Sequence, residues 1–128
     1  MTATVHRDVK PDNVPQRWSR DRIDRLAMSD PAALHLAIER GDLSRAHLSH
    51  AAETIGRHPW GNGLEILRGL LRHESPLVRE GALYGLAYWL AGDADPEAIA
   101  EVRAVAESDP SPGVRETAGV VLADLEDE

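Results

Sequence analysis

From residue 19 onward, apolar side chains return at every third or fourth position, in runs broken by Gly, Pro, Ser and Asp. That period belongs to α-helix, and no useful length of chain alternates with the two-residue period of a strand. Seven helices are predicted. Ser19 caps the first, which runs to about Met28 with Ile23, Leu26 and Ala27 on one face. Ser29 or Asp30, followed by Pro31, starts a second that ends at Gly41, since proline is best tolerated in a first turn. Asp42 opens a third, in which Leu43, Ala46, Leu48, Ala51, Ala52 and Ile55 recur until Gly56 and Pro59 stop it. The loop His58-Pro59-Trp60-Gly61-Asn62-Gly63 leads to a fourth helix from about Leu64 to Arg72. Ser75-Pro76 begins a fifth, to about Leu90, Pro96 a sixth and Ser111-Pro112 a seventh. Residues 1–18 hold Pro11 and Pro15 and no sustained apolar period. The reading is an extended arm over 1–18, then one all-α domain over 19–128 built of short antiparallel helix pairs.

The last helices repeat. Residues 75–87, SPLVREGALYGLA, share eight of thirteen positions with residues 111–123, SPGVRETAGVVLA, at an offset of 36. A period of this length, carrying a helix pair per unit, is that of an α-solenoid whose units bury their faces only against neighbours. Val78, Ala82 and Leu86, like Val114, Ala118 and Leu122, fall at i, i+4 and i+8 on one face and are predicted core.

The turn-plus-helix pattern of Glu74-Ser75-Pro76-Leu77-Val78-Arg79 and Pro110-Ser111-Pro112-Gly113-Val114-Arg115 resembles the HEAT repeat family, including the bacterial HEAT-like repeats grouped with phycobilin lyases. It covers about residues 64–125. The earlier pair, 31–40 and 42–56, has the right lengths but lacks Val-Arg and reads as a degenerate or capping repeat, which makes about three repeats. The resemblance implies a short solenoid in which Arg79 and Arg115 reach acidic residues of a neighbouring turn, and in which the second helix of each pair lines the concave surface.

Composition narrows the function. The 128 residues make one domain, with a net charge of −8 that leaves no basic footprint for phosphate backbones, so nucleic acid is not an expected partner. The charge is uneven: residues 1–25 carry +2, residues 26–90 carry −1 and residues 91–128 carry −9. Asp124, Glu126, Asp127 and Glu128 lie where a helix C-terminus prefers cations, and this end is expected to fray as a solvating tail. Cysteine is absent, so thiolate metal sites and thiol nucleophiles are absent too; Phe is also missing, and the core must be Leu, Ala, Val and Ile. No run approaches a membrane span, and the first residues lack the apolar stretch of a signal peptide. A cytoplasmic monomer without cofactor is expected.

Two motifs invite chemistry. His6-Arg7-Asp8-Val9-Lys10-Pro11-Asp12-Asn13-Val14 looks like the catalytic loop of a Ser/Thr protein kinase. Only five residues precede it, and a sequence without Phe has no D-F-G, so the positioning apparatus of phosphoryl transfer is missing. Coincidence, a remnant of a kinase domain, and mimicry of a kinase segment all remain open. His47 and His50 at i, i+3, with Glu53 three further on, have a spacing that can present two imidazoles and a carboxylate to one metal. This group is the alternative reading, a HEAT-like lyase or metal-dependent enzyme. Some HEAT-like enzymes hold two irons through His-Glu dyads just after Val-Arg, where this chain has Glu80-Gly81 and Glu116-Thr117.

The leading expectation is a non-catalytic protein-binding module: an adaptor, accessory subunit or immunity-type protein. With Val78, Ala82, Gly85, Leu86 and Trp89 inward, Leu83, Tyr84, Ala87 and Tyr88 lie on the other side of the fifth helix. Leu83, Tyr84 and Tyr88, flanked by Glu80 and Glu116 and joined by the loop residue Trp60, form the predicted contact surface, their carboxylates steering a basic protein partner.

Overall fold

The computed structural model describes residues 17–126, and all regular structure in them is helical. The elements are α1 (Arg20–Ser29), α2 (Pro31–Arg40), α3 (Arg45–Arg57), α4 (Gly63–Leu70), α5 (Pro76–Gly92), α6 (Pro96–Ser108) and α7 (Pro112–Glu126). The kinase-like segment His6–Val14, and all of the predicted arm before Arg17, lie outside the described residues.

Local chemistry sets most boundaries. Ser19 Oγ accepts from the Arg22 amide at 3.0 Å, and Asp30 Oδ1 from the Ala33 amide at 3.3 Å ahead of Pro31. Gly41, at φ 75°, closes α2 in the left-handed conformation while the Asp42 amide turns back to the Ala37 carbonyl at 3.0 Å. That closure keeps Asp42 in the turn, so Ser44 caps α3 in place of the expected Asp42: its Oγ accepts from the His47 amide at 3.2 Å. α7 takes in Asp124 and Glu126, two of the four acidic residues expected to fray, with Arg103 Nη1 on α6 placed 3.5 Å from the Glu126 carboxylate; Asp127 and Glu128 lie outside the described residues. No helix among the described residues is long and apolar enough to cross a membrane.

The pairs α2/α3, α4/α5 and α6/α7 follow one another, and their second helices pack in succession. α1 packs on both α2 and α3, ahead of the three pairs. Ile23, Leu34, Ile55, Leu67, Val78, Leu86 and Val102 are fully buried along one continuous core.

Two different devices join the pairs. Between α3 and α5 the backbones touch. A Cβ at Gly85 would overlap the Ala52 carbonyl, one at Gly56 the Gly85 carbonyl, and one at Gly81 the carbonyl of Ser49. Between the second and third pairs the join is ionic. Arg79 Nε and Nη2 donate to the two oxygens of Asp109 at 2.9 and 3.0 Å, and Nη1 donates to the His73 and Glu74 carbonyls at 2.8 and 3.1 Å. Both partners are buried. Asp109 Oδ1 also takes the Ser111 amide at 2.9 Å, just as His73 Nδ1 takes the Ser75 amide at 3.0 Å one repeat earlier. His73 therefore fills the capping role of Asp109 but offers no bidentate carboxylate, which agrees with the missing arginine of the first pair. The resemblance-based expectation holds for Arg79 and is corrected for Arg115. That side chain donates to the Asp109 carbonyl of its own turn at 2.6 Å and meets no carboxylate among the described residues, because none of them forms a turn on its far side.

On the first-helix side, Arg68 of α4 grips Glu101 of α6 at 2.8 and 3.0 Å, with Arg72 3.6 Å away. The hydrogen bonds from Arg68, reinforced by its charge and that of Arg72, hold the Glu101 carboxyl below its usual value of 4.5 against a smaller opposing effect of burial. A carboxyl depressed in the folded state adds stability above its unfolded pKa and loses it as pH falls through the folded one. Arg68→Gln is thus expected to lower the urea midpoint at pH 6–7, with the difference from the parent shrinking below about pH 4.5. A difference that grows toward acid would contradict this account.

Candidate functional site

α5 is enclosed on most sides, and what it leaves to solvent is a single stripe. Leu77, Tyr84 and Tyr88, at i, i+7 and i+11, are 48, 47 and 48% exposed. Tyr84 and Tyr88 stand where the sequence places them. Leu83 does not: it is 0% exposed and belongs to the core. Helical spacing alone puts Leu83 opposite Val78 and Ala82, but an inner helix of a solenoid is covered on both flanks. Its counterpart one repeat on, Gly119 of α7, has nothing within 4 Å of where a Cβ would stand. Trp89, expected inward, is half-buried, packed on the core with its ring close to Gly63.

Between α5 and α7 lie two adjoining cavities, of about 340 and 240 Å³. The larger is lined by Tyr84, Ala87, Tyr88, Ala91, Val121, Leu125 and Asp124. The smaller shares Tyr84, Ala87, Val121 and Asp124 and adds Glu116, Thr117 and the 56% exposed Val120. Among the described residues, every charge on these walls is a carboxylate. Glu116 and Asp124 pair with no cation among the described residues. Glu80 is engaged otherwise: it accepts from the Thr117 hydroxyl at 2.9 Å and ties α5 to α7.

Tyr88 already has a cation. Arg57 Cζ lies 5.0 Å from the centre of its ring, and Nη2 donates to the Tyr88 hydroxyl at 3.4 Å and to Glu53 at 2.6 Å. The Tyr88 hydroxyl first, and then the Glu53 charge, push the Arg57 pKa above its ordinary value.

Trp60 is 47% exposed but lines neither cavity. It stands edge-on to the buried His35 of α2, ring centroids 5.2 Å apart, and His35 Nδ1 is 3.3 Å from Asn62 Oδ1. The tyrosines and Trp60 are therefore not brought together, since Trp60 is held by a first helix and the tyrosines by a second.

His47, His50 and Glu53 line a third cavity, of about 340 Å³, with Arg20, Ala46, Ser49 and Leu77. They share its wall but not a common focus. His50 Nε2 lies 2.7 Å from Asp24 Oδ1, while its Nδ1 accepts from Arg20 Nη2 at 3.3 Å, and Glu53 is paired with Arg57. Among the described residues no group of three His, Asp or Glu side chains is placed to hold a metal ion.

Residue-level reading missed Thr117, Val120, Val121, Asp124 and Leu125. A signal for two of them was present. Adding the 36-residue offset to Tyr84 and Tyr88 gives Val120 and Asp124, their counterparts on the next second helix.

A family model described as HEAT repeats matches residues 31–123, from the start of α2 into the last turns of α7. No curated protein and no solved structure matches the chain.

Proposed function

Because the chain belongs to the HEAT repeat family, whose repeats generally mediate protein–protein contact and are typically non-catalytic scaffolds, we propose that it binds a basic protein on its α5–α7 side. The observation that carries this reading is the half-exposed pair Tyr84 and Tyr88 over an apolar cavity whose charged lining among the described residues is carboxylate. Tyrosine supplies a large rigid apolar body with a polar tip, and such residues dominate the energy of protein interfaces. Asp124 and Glu116, with no cation beside them among the described residues, raise the encounter rate with a positive partner and disfavour a negative one. In this role the protein works as an adaptor, accessory subunit or immunity-type protein, and the surface needs no chemistry of its own.

The test is capture of partners by the full chain against its Tyr84→Ala/Tyr88→Ala variant, followed by affinity measurement on the recovered protein. Both side chains are half in solvent, so the variant is expected to keep its helical circular dichroism. Affinity should fall about thirtyfold or more, the cost of removing one hot-spot tyrosine. Unchanged affinity would move the docking face elsewhere.

A further inference from the structure

We infer that the α5–α7 cavity recognises an arginine side chain of the partner, held between the Tyr84 ring and Asp124. The inference rests on the docking reading above and names the chemistry it recognises. The template is within the molecule. Arg57 lies over the Tyr88 ring while donating to the Glu53 carboxylate at 2.6 Å, so a ring and an acid on this face together hold a guanidinium. Tyr84, one turn from Tyr88 on the same stripe, has the same two ingredients. Its ring is 47% exposed, Asp124 lines both cavities that it lines, and no cation lies over it among the described residues.

The rest of the cavity suits the remainder of such a side chain. Ala87, Val121 and Leu125 supply apolar wall for a methylene stem, and Asp124 is the only charge among the described residues that line the larger cavity. A guanidinium is favoured over an ammonium because it is planar, weakly hydrated, stacks on a ring and donates to a carboxylate through two N–H groups at once. Among the described residues, Arg57 beside Tyr88 is already paired with Glu53, and Arg115 of α7 is turned to the Asp109 carbonyl.

With two tyrosines in the chain, ring signals can be followed one by one in two-dimensional NMR of the full protein. The probes are N-acetyl-arginine methylamide and its citrulline and lysine analogues, at fixed ionic strength. The arginine derivative is expected to shift the Tyr84 ring and the Val121 and Leu125 methyl signals saturably, with little change at Tyr88. It should bind about two- to fivefold tighter than the lysine analogue, and the citrulline analogue should produce no saturable shift. Asp124→Asn should weaken arginine binding, and Tyr84→Ala should abolish it. Equal shifts from arginine and citrulline, or arginine binding indifferent to Asp124→Asn, would overturn the inference. Its failure is separable from that of the docking reading. Partner affinity lost in the double tyrosine variant while arginine leaves Tyr84 unmoved keeps the docking face and removes the arginine site. Arginine binding at Tyr84 with partner affinity unchanged in that variant does the reverse.

Discussion

Gly85→Ala is expected to cost about 3 kcal/mol or more, a large fraction of the 5–15 kcal/mol that holds a domain of this size together. The added methyl group has nowhere to go. Its carbon would overlap the Ala52 carbonyl of α3 and stand 2.8 Å from a Leu67 methyl, and a facing backbone cannot rotate aside as a side chain can. To admit it, α5 must move away from α3, which also loosens the contacts of Gly56 and Gly81. The matched control is Gly119→Ala, in the middle of α7 with open space around it. There alanine is expected to add about 0.5–1 kcal/mol, because it lowers the entropy of the unfolded chain and favours helix. Urea unfolding followed by circular dichroism reads both. A Gly85→Ala protein within about 1 kcal/mol of the parent would show that the helices are spaced more widely than described.

Asp109→Ala is expected to be comparably damaging, by about 3–5 kcal/mol, for an electrostatic reason. Arg79 is buried, and removing its bidentate partner leaves a charged fork out of water with two backbone carbonyls for company. The Ser111 amide loses its acceptor in the same step. Arg79→Met alone should cost less, since the carboxylate keeps the Ser111 amide as a donor. In the double variant Arg79→Met/Asp109→Ala the loss should fall short of the summed single losses by roughly 1–3 kcal/mol, the coupling of a close buried pair. Strict additivity in the same urea series would mean that the pair does not join the second and third repeats.

The contrast between these two joints explains what a sequence reader can and cannot see. Arg79 was legible because its motif, Ser-Pro-x-Val-Arg-Glu, recurs at Ser111 and brings its meaning with it. Helix type and order were legible for the same reason, helped by Pro31, Pro76, Pro96 and Pro112 at first turns. The α3–α5 contact was not. Gly56 reads as a stop signal and Gly85 as one inward position among others, and only the approach of a second helix reveals them, with Gly81, as the condition for packing. At the site, Tyr84 and Tyr88 were placed by spacing, but Leu83 was not, because a helical wheel has two sides and an inner solenoid helix is covered on more than one. Asp124 was hidden differently. Among the acidic residues at the chain end it reads as a solvating charge, and it becomes part of a cavity wall once α7 lies against α5. Trp60 shows the limit of grouping exposed aromatics from sequence, since the helix layer to which each belongs decides whether they meet.

α5 does two jobs on separate sides of one cylinder. Gly81 and Gly85 face α3 and set the spacing of the stack, while Leu77, Tyr84 and Tyr88 face solvent and touch none of that spacing. The first set has almost no latitude in sequence, because any side chain larger than hydrogen forces the helices apart. The second set is free to drift. In the proposed docking role, recognition can therefore change through two or three exposed residues, with no compensating change in the frame and no passage through unstable intermediates.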